Sequence, residues 1–165
     1  MPVFVDVGGS FGQQCARLKA KYPDLPGKII CQDLPATLKL APQISGVKFM
    51  AQAIFEPNAV RGAKFYYIRA VLHDFPDEKC VQILRNLKEA GGKGSKILID
   101  EIVLAKSGAH WMAMAIDIEM EMIMAACERT KDQWEAIAEN AGLEVESMTP
   151  YMLKLGNSVI VLKSG

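Results

Sequence analysis

The sequence predicts an α/β fold, a mostly parallel sheet with helices on both faces. Three observations carry that expectation. Strand-like and helix-like patterns alternate along the chain, as they do where parallel strands are joined by crossover helices. The first strand pattern stops on a glycine pair, Gly8-Gly9, as a buried parallel strand does before its helix. The last two strand patterns are separated only by a turn-rich piece around Gly156-Asn157, so they pair most simply as an antiparallel hairpin.

Each element follows from its residues. Val3-Phe4-Val5-Asp6-Val7 is short and β-branched, the mark of a buried strand. Residues 13–22 carry Cys15, Leu18 and Tyr22 at helical spacing, and Pro23 ends that helix. A second strand over residues 28–31 closes at Asp33-Leu34-Pro35, residues 47–51 make a third, and residues 65–72 make a fourth and longer one. From Asp77 the period is helical again, with Cys80, Leu84 and Leu87 on one stripe and Gly91-Gly92 as the stop. Residues 96–104 form the fifth strand. Thr130-Lys131-Asp132-Gln133 has capping-box spacing and opens a helix on Trp134, Ile137, Ala138 and Ala141, closed by Gly142. Residues 143–148 and 158–162 are the closing hairpin.

Composition narrows the function classes. The 165 residues make one domain, 1–165, and half of them are apolar, enough to bury a core. Nineteen basic and nineteen acidic residues balance, with no cationic run to track a phosphate backbone, so neither nucleic acid nor an anionic membrane is an expected partner. Cys15, Cys31, Cys80 and Cys127 are scattered singly, without zinc-knuckle or redox spacing, and read as buried thiols of a reducing compartment. With no leader-like start and no apolar run of membrane-spanning length, the expected location is the cytosol.

Two turns carry chemistry. Gly8-Gly9-Ser10-Phe11-Gly12 lies at the carboxyl end of a strand, where open α/β sheets bind ligands and where missing side chains let the backbone approach closely. A dinucleotide fingerprint needs glycine at positions 10 and 13, which are serine and glutamine, so a nucleoside without the usual pyrophosphate fits better. Asp33, at the end of the second strand, stands where a carboxylate accepts hydrogen bonds from ribose hydroxyls. The plainer alternative makes the glycines a tight turn and Asp33 a cap for the next element. His73-Asp74-Phe75-Pro76-Asp77 follows the fourth strand, again at a carboxyl end, so a histidine base would face the same cleft. Taken alone, a histidine there is more often a structural residue at the start of the next helix.

Context changes that balance. The run Tyr67-Ile68-Arg69-Ala70-Val71-Leu72-His73-Asp74-Phe75-Pro76-Asp77-Glu78 has Val5-Asp6-Val7-Gly8-Gly9 before it and Glu128-Arg129-Thr130 after it. This set resembles the plant caffeic-acid-type O-methyltransferases and particularly their fungal relatives. Ile99-Asp100-Glu101, Gly108-Ala109-His110-Trp111, Gln133-Trp134 and Ala141-Gly142-Leu143 fall in the same family order, so the resemblance covers essentially the whole chain. It implies a Rossmann-like class I methyltransferase fold with a seven-stranded sheet, bound S-adenosylmethionine, and no metal. It also implies a histidine base, matching His73, oriented by two acids, matching Glu101 and Glu128. The cofactor positions it implies are Asp6, Gly8, Gly9, Gly12, Asp33, Leu34, Ala53, Ile54, Arg69 and Asp74. Asp74 is read in the first place as a helix cap, with contact to the cofactor's polar tail as the alternative. Arg69 stands where plant members carry a lysine near the adenine, and a solvated charge explains it nearly as well. The methionine-rich stretch puts Met112, Ile116, Met120 and Ile123 on one helical face, as core filling does, and leaves Met114, Asp117 and Met122 for the acceptor pocket.

Three departures stand out. The family's acid after the third strand is Ala53 here, which removes one cofactor hydrogen bond and predicts weaker binding. Ser10 replaces a common glycine and is small enough for the turn. Met1 and Pro2 lead straight into the first strand, so the family's winged-helix front domain is expected to be absent, leaving apolar surface for self-association or for docking on a full-length relative. The sequence thus supports a methyltransferase acting on a small aromatic hydroxyl compound, against a truncated cofactor-binding chain that works through a partner. An NAD-dependent oxidoreductase is disfavoured by Ser10 and Gln13.

Overall fold

The computed structural model describes residues 1–105, 128–152 and 156–164. Strand β1 (Pro2–Val7) is buried from Phe4 onward and runs into the glycine turn. Helix α1 (Gln13–Lys21) follows and buries Cys15, whereas Tyr22 lies beyond its end and is exposed, contrary to the expected apolar face. Strand β2 (Lys28–Asp33) runs two residues further than expected, to the acid itself, and leads into a short helix α2 (Pro35–Leu38) that the sequence pattern did not show. Strand β3 (Val47–Ala51) lies where expected.

Strand β4 (Phe65–Arg69) is shorter than the predicted run through residue 72. Its extension fails at Ala70, which takes a φ of 48°. A left-handed residue cannot continue a ladder, so Leu72–Asp74 turns into one 3-10 step instead. Helix α3 (Asp77–Ala90) then buries Cys80, Ile83, Leu84, Leu87 and Ala90, the predicted stripe with two additions. Strand β5 (Lys96–Leu104) holds its expected bounds. Two residues, Arg129–Thr130, form β6 and pair with β5, an eighth strand where the resemblance implied seven. Helix α4 (Lys131–Asn140) opens with the predicted capping box between Thr130 and Gln133 and buries Trp134, Ile137 and Ala138. The hairpin of β7 (Leu143–Met152) and β8 (Asn157–Ser164) is antiparallel, as expected, and longer than predicted at both strands.

The strand order is β3-β2-β1-β4-β5-β8-β7, with β6 on β5. Strands β1 to β5 are parallel neighbours, and β8 joins β5 antiparallel. The larger core lies between the sheet and α3 with α4, and includes Val7, Ile68, Leu84, Leu87, Trp134 and Ile137. The smaller one, Phe4, Cys15, Ile29 and Cys31, lies under α1. Helices therefore cover both faces. The chain leaves β1 in one direction towards β2 and returns at β4 on its other side, so the carboxyl ends of β1 and β4 flank the crevice where such sheets bind ligands. No helix among the described residues is long and apolar enough to cross a membrane.

Candidate active site

The two turns at that crevice are built differently. After β1, Gly8 and Gly12 take φ values of 71° and 77°, and a Cβ on Gly8 would stand 2.9 Å from Val71. Gly9 is required for another reason, because its Cβ would stand 2.6 Å from Asp6 Cγ and 2.7 Å from Cys31 Sγ. Ser10 has a φ of 52°, so its cost is conformational, and its small size does not remove it. Its N–H donates to Asp33 Oδ2 at 2.8 Å, and the Leu34 N–H donates to Asp33 Oδ1 at 2.7 Å. Asp33 thus ties the glycine turn to the end of β2. It is not a helix cap, since Leu34 holds that position and no side chain caps α2.

A hollow of about 530 Å³, within the usual range for small-molecule sites, is lined by Gly8, Asp33, Leu34, Ala53, Ile54 and Asp74, together with Phe55, Val71 and Phe75. Six predicted cofactor positions therefore share one wall system. A second hollow of about 470 Å³ takes Asp6, Gly9 and Arg69, and shares Gly8 and Ala70 with the first. Gly12 lines neither. Asp6 is buried beneath the turn, and burial pushes its carboxyl up to about 6, opposed by the Cys15 thiol that donates to Oδ2 at 3.5 Å. Arg69 pairs with buried Asp100 at 3.6 Å, so the freely solvated reading does not hold. Asp100 also accepts from Tyr67 Oη at 2.5 Å and Tyr151 Oη at 2.8 Å.

After β4, one imidazole meets three acids. His73 Nδ1 lies 2.9 Å from Glu128 Oε1 and 3.7 Å from Glu101 Oε2, and both glutamate side chains are buried. Glu101 is aimed by the chain it serves, because its Oε1 accepts the N–H groups of Val71 and Leu72, each at 2.9 Å. With acceptors on the Nδ1 side, the neutral ring carries its hydrogen there and leaves Nε2 as the acceptor. Nε2 has Asp74 Oδ1 at 3.5 Å. Asp74 is no cap either: the residue before α3 is Pro76, and no side chain caps that helix. Burial works to lower the His73 pKa, but the Glu128 hydrogen bond and the charges of Glu101, Glu128 and Asp74 outweigh it and bring it up to about 9. Burial also pushes Glu101 up to about 7, against the imidazolium charge and the two backbone donors. Both groups hold their protons more tightly than usual, His73 because the neighbouring carboxylates outweigh its burial and Glu101 because burial disfavours its charge.

Among the described residues two groupings bring their ligand-capable atoms within 4.8 Å of one another: His73 with Glu101 and Glu128, and Asp6 with Cys15 and Cys31. Each has the reach to hold a cation. In each, a hydrogen bond already accounts for the approach, Nδ1 to Glu128 in the first and Cys15 to Asp6 in the second. Met112, Met114, Ile116, Asp117, Met120, Met122, Ile123, the run from Gly108 to Trp111 and Cys127 lie outside the described residues. Sequence reasoning missed Arg129, which grips the backbone on either side of His73; its only signal was adjacency to Glu128.

Comparisons with known proteins agree with this architecture. A family model described as an O-methyltransferase domain matches residues 1–144. The demethylsterigmatocystin 6-O-methyltransferase of Aspergillus parasiticus is 47% identical over 143 residues, covering 87% of this chain, and the chain spans 37% of that relative's length. The structure of LepI in complex with SAM superposes with a TM-score of 0.95 at 38% identity, covering 99% of this chain and 43% of that one. A structure described as a pericyclic reaction enzyme gives 0.96 at 38% identity, again over 99% and 43%. The fungal side of the resemblance is met by the Aspergillus relative, and the caffeic-acid-type plant affiliation is not carried by these comparisons.

Proposed function

This chain belongs to the O-methyltransferase domain family, and we propose that it carries the part of such an enzyme that holds S-adenosylmethionine and methylates a hydroxyl of a small aromatic acceptor. The observation that carries the reading is the 2.9 Å contact of Glu128 with Nδ1 of His73, the residue next in sequence to Asp74, which lines the hollow with Gly8 and Asp33. The residues present fit the cofactor. Asp33, already fixed by two backbone donors, has lone pairs left for ribose hydroxyls. Leu34, Ala53 and Ile54 give an apolar wall for a flat base, Gly8 opens the floor, and Gly9 and Gly12 shape the turn. Asp74 lines the first hollow for the polar tail, and Asp6 and Arg69 line the second, which shares Gly8 and Ala70 with it. Met114, Asp117 and Met122 remain the sequence-based choice for the acceptor pocket.

S-adenosylmethionine supplies a methyl group activated by its sulfonium. The protein's task is then to orient the acceptor oxygen and remove its proton. A phenol with a pKa of about 10 needs a base within hydrogen-bond reach, and Nε2 of His73 is that base. Glu128 and Glu101 hold the ring by Nδ1 and stabilise the imidazolium that forms. In the resting site that proton is already bound at neutral pH, so turnover needs its loss.

A second reading, prompted by the solved relative described as a pericyclic reaction enzyme, is that the hollow binds its ligand and no methyl moves. Incubation of the chain with methyl-labelled S-adenosylmethionine and a panel of small phenols tests the first. Labelled O-methyl product is expected; cofactor binding with no label transferred to any phenol contradicts it and supports the second.

A further inference from the structure

Arg129 is buried to 1% exposure, and its guanidinium is spent on the backbone around His73. Nη1 donates to the Leu72 carbonyl at 3.1 Å and Nη2 to the Phe75 carbonyl at 2.7 Å, the residues that bracket His73-Asp74. Nε donates to Asp77 Oδ1 at 2.8 Å, at the first residue of α3. The face of the cation lies 5.2 Å from the Trp134 ring centroid, on the helix that the Thr130 capping box starts. A buried guanidinium is costly unless its donors are used, and here they converge on the short stretch from Leu72 to Asp77 that holds the 3-10 turn. Anchoring β6 does not require this, because β6 already pairs with β5 through Val103 and Leu104.

Resting on the reading of His73 as the base, we propose that Arg129 is a positioning residue for it: by gripping Leu72 and Phe75 it fixes the 3-10 turn so that Nδ1 meets Glu128. The geometry couples the two neighbours. Glu128 touches the ring and Arg129 clamps the ring's own backbone, so one short segment sets both the partner and the pose. Cys80 Sγ, from α3, approaches the same two carbonyls at 3.1 and 3.5 Å and completes the grip. Among the described residues, the charged groups facing the His73 ring are Asp74 from its own turn, Glu101 from β5 and Glu128 ahead of β6. Arg129 reaches the turn's carbonyls rather than the ring.

This arrangement gives the test a sign. Removing a nearby cation should by itself raise the His73 pKa, whereas loss of the Glu128 contact should lower it. The chain has only two histidines, His73 and His110, so their imidazole signals can be assigned in labelled full-length protein with a His110→Gln control. In Arg129→Gln and Arg129→Lys, the His73 titration midpoint measured by NMR is expected to fall by about one unit or more towards the free value. Turnover should drop at least about tenfold, with the KM for S-adenosylmethionine within about twofold, because a lysine cannot reach three acceptors. A folded variant whose midpoint stays put or rises overturns the proposal, as does a turnover loss that only tracks the unfolded fraction. Where both variants fail to fold, Trp134→Phe decides, since it weakens the cation contact without changing charge. Its midpoint must fall by at least about 0.3 unit, and no shift overturns the proposal. The midpoint is read without turnover. A wild-type chain that transfers no methyl therefore counts against the proposed function, while the midpoint shift still decides the role of Arg129.

Discussion

The turn after β1 and the turn after β4 flank the same crevice and are held in opposite ways. The first is defined by missing side chains: Gly8 and Gly12 take left-handed backbone and Gly9 has no room for a Cβ. Among the described residues its one charged tie is Asp33, from the next strand. The second is defined by buried charge brought from afar, with Glu101 thirty residues from Val71 and Glu128 fifty-five from His73. Ligand space can thus be carved by local backbone, whereas a poised base has to be assembled by the whole fold. Changes at the second turn should therefore alter chemistry at nearly constant cofactor affinity, and changes at the first should do the reverse.

The largest effect along that contrast is expected from Glu128→Gln. Turnover should fall about a hundredfold, the scale of a general-base contribution, while S-adenosylhomocysteine affinity by calorimetry stays within about threefold. The pH dependence bears on the same turn. Because the His73 pKa is raised to about 9, the base form is gained only as pH rises. The value of kcat/KM should climb up to about tenfold per unit below that point and level off above it. The stability that the charged ring confers follows the opposite course, full below the free value of 6.5 and lost as pH rises through about 9, readable in denaturant midpoints across that window. In Glu128→Gln the break in the rate profile should move to lower pH, since its main raising partner is gone.

Gly9→Ala comes next. Its Cβ meets Asp6 and Cys31 at 2.6 and 2.7 Å, so overpacking of about 1–3 kcal/mol should appear as a lower melting temperature and weaker cofactor binding. The smallest effect is expected at Ala53. Ala53→Asp restores a carboxylate to the wall of the hollow and should tighten S-adenosylhomocysteine by up to about tenfold, one hydrogen bond's worth. Unchanged affinity would mean that the wild-type wall already satisfies its ligand.

Legibility in the sequence followed the same division. Strand β1, its glycine turn and Asp33 were readable because periodicity and glycine act within a few residues. So was the capping box at Thr130, whose spacing is its mechanism. The end of β4 was not, because Val71-Leu72 prolongs an apolar pattern while the left-handed φ at Ala70 has already turned the chain. Asp74 looks like a cap from its place before a helix, yet its carboxylate stands by the ring and lines the hollow. Size is the wrong measure of Ser10, whose dihedral is what matters. Glu101 and Glu128 were reached only through the family resemblance, since no local pattern announces a contact across 55 residues. Arg129 was missed for the same reason.

The most direct measurement is made on His73→Ala, in which labelled methyl transfer and S-adenosylhomocysteine binding are read on the same preparation. If His73 is the base, transfer falls by about a hundredfold or more with the dissociation constant within about threefold of wild type. Transfer retained at the wild-type rate, by a variant that binds the cofactor normally, would contradict that role.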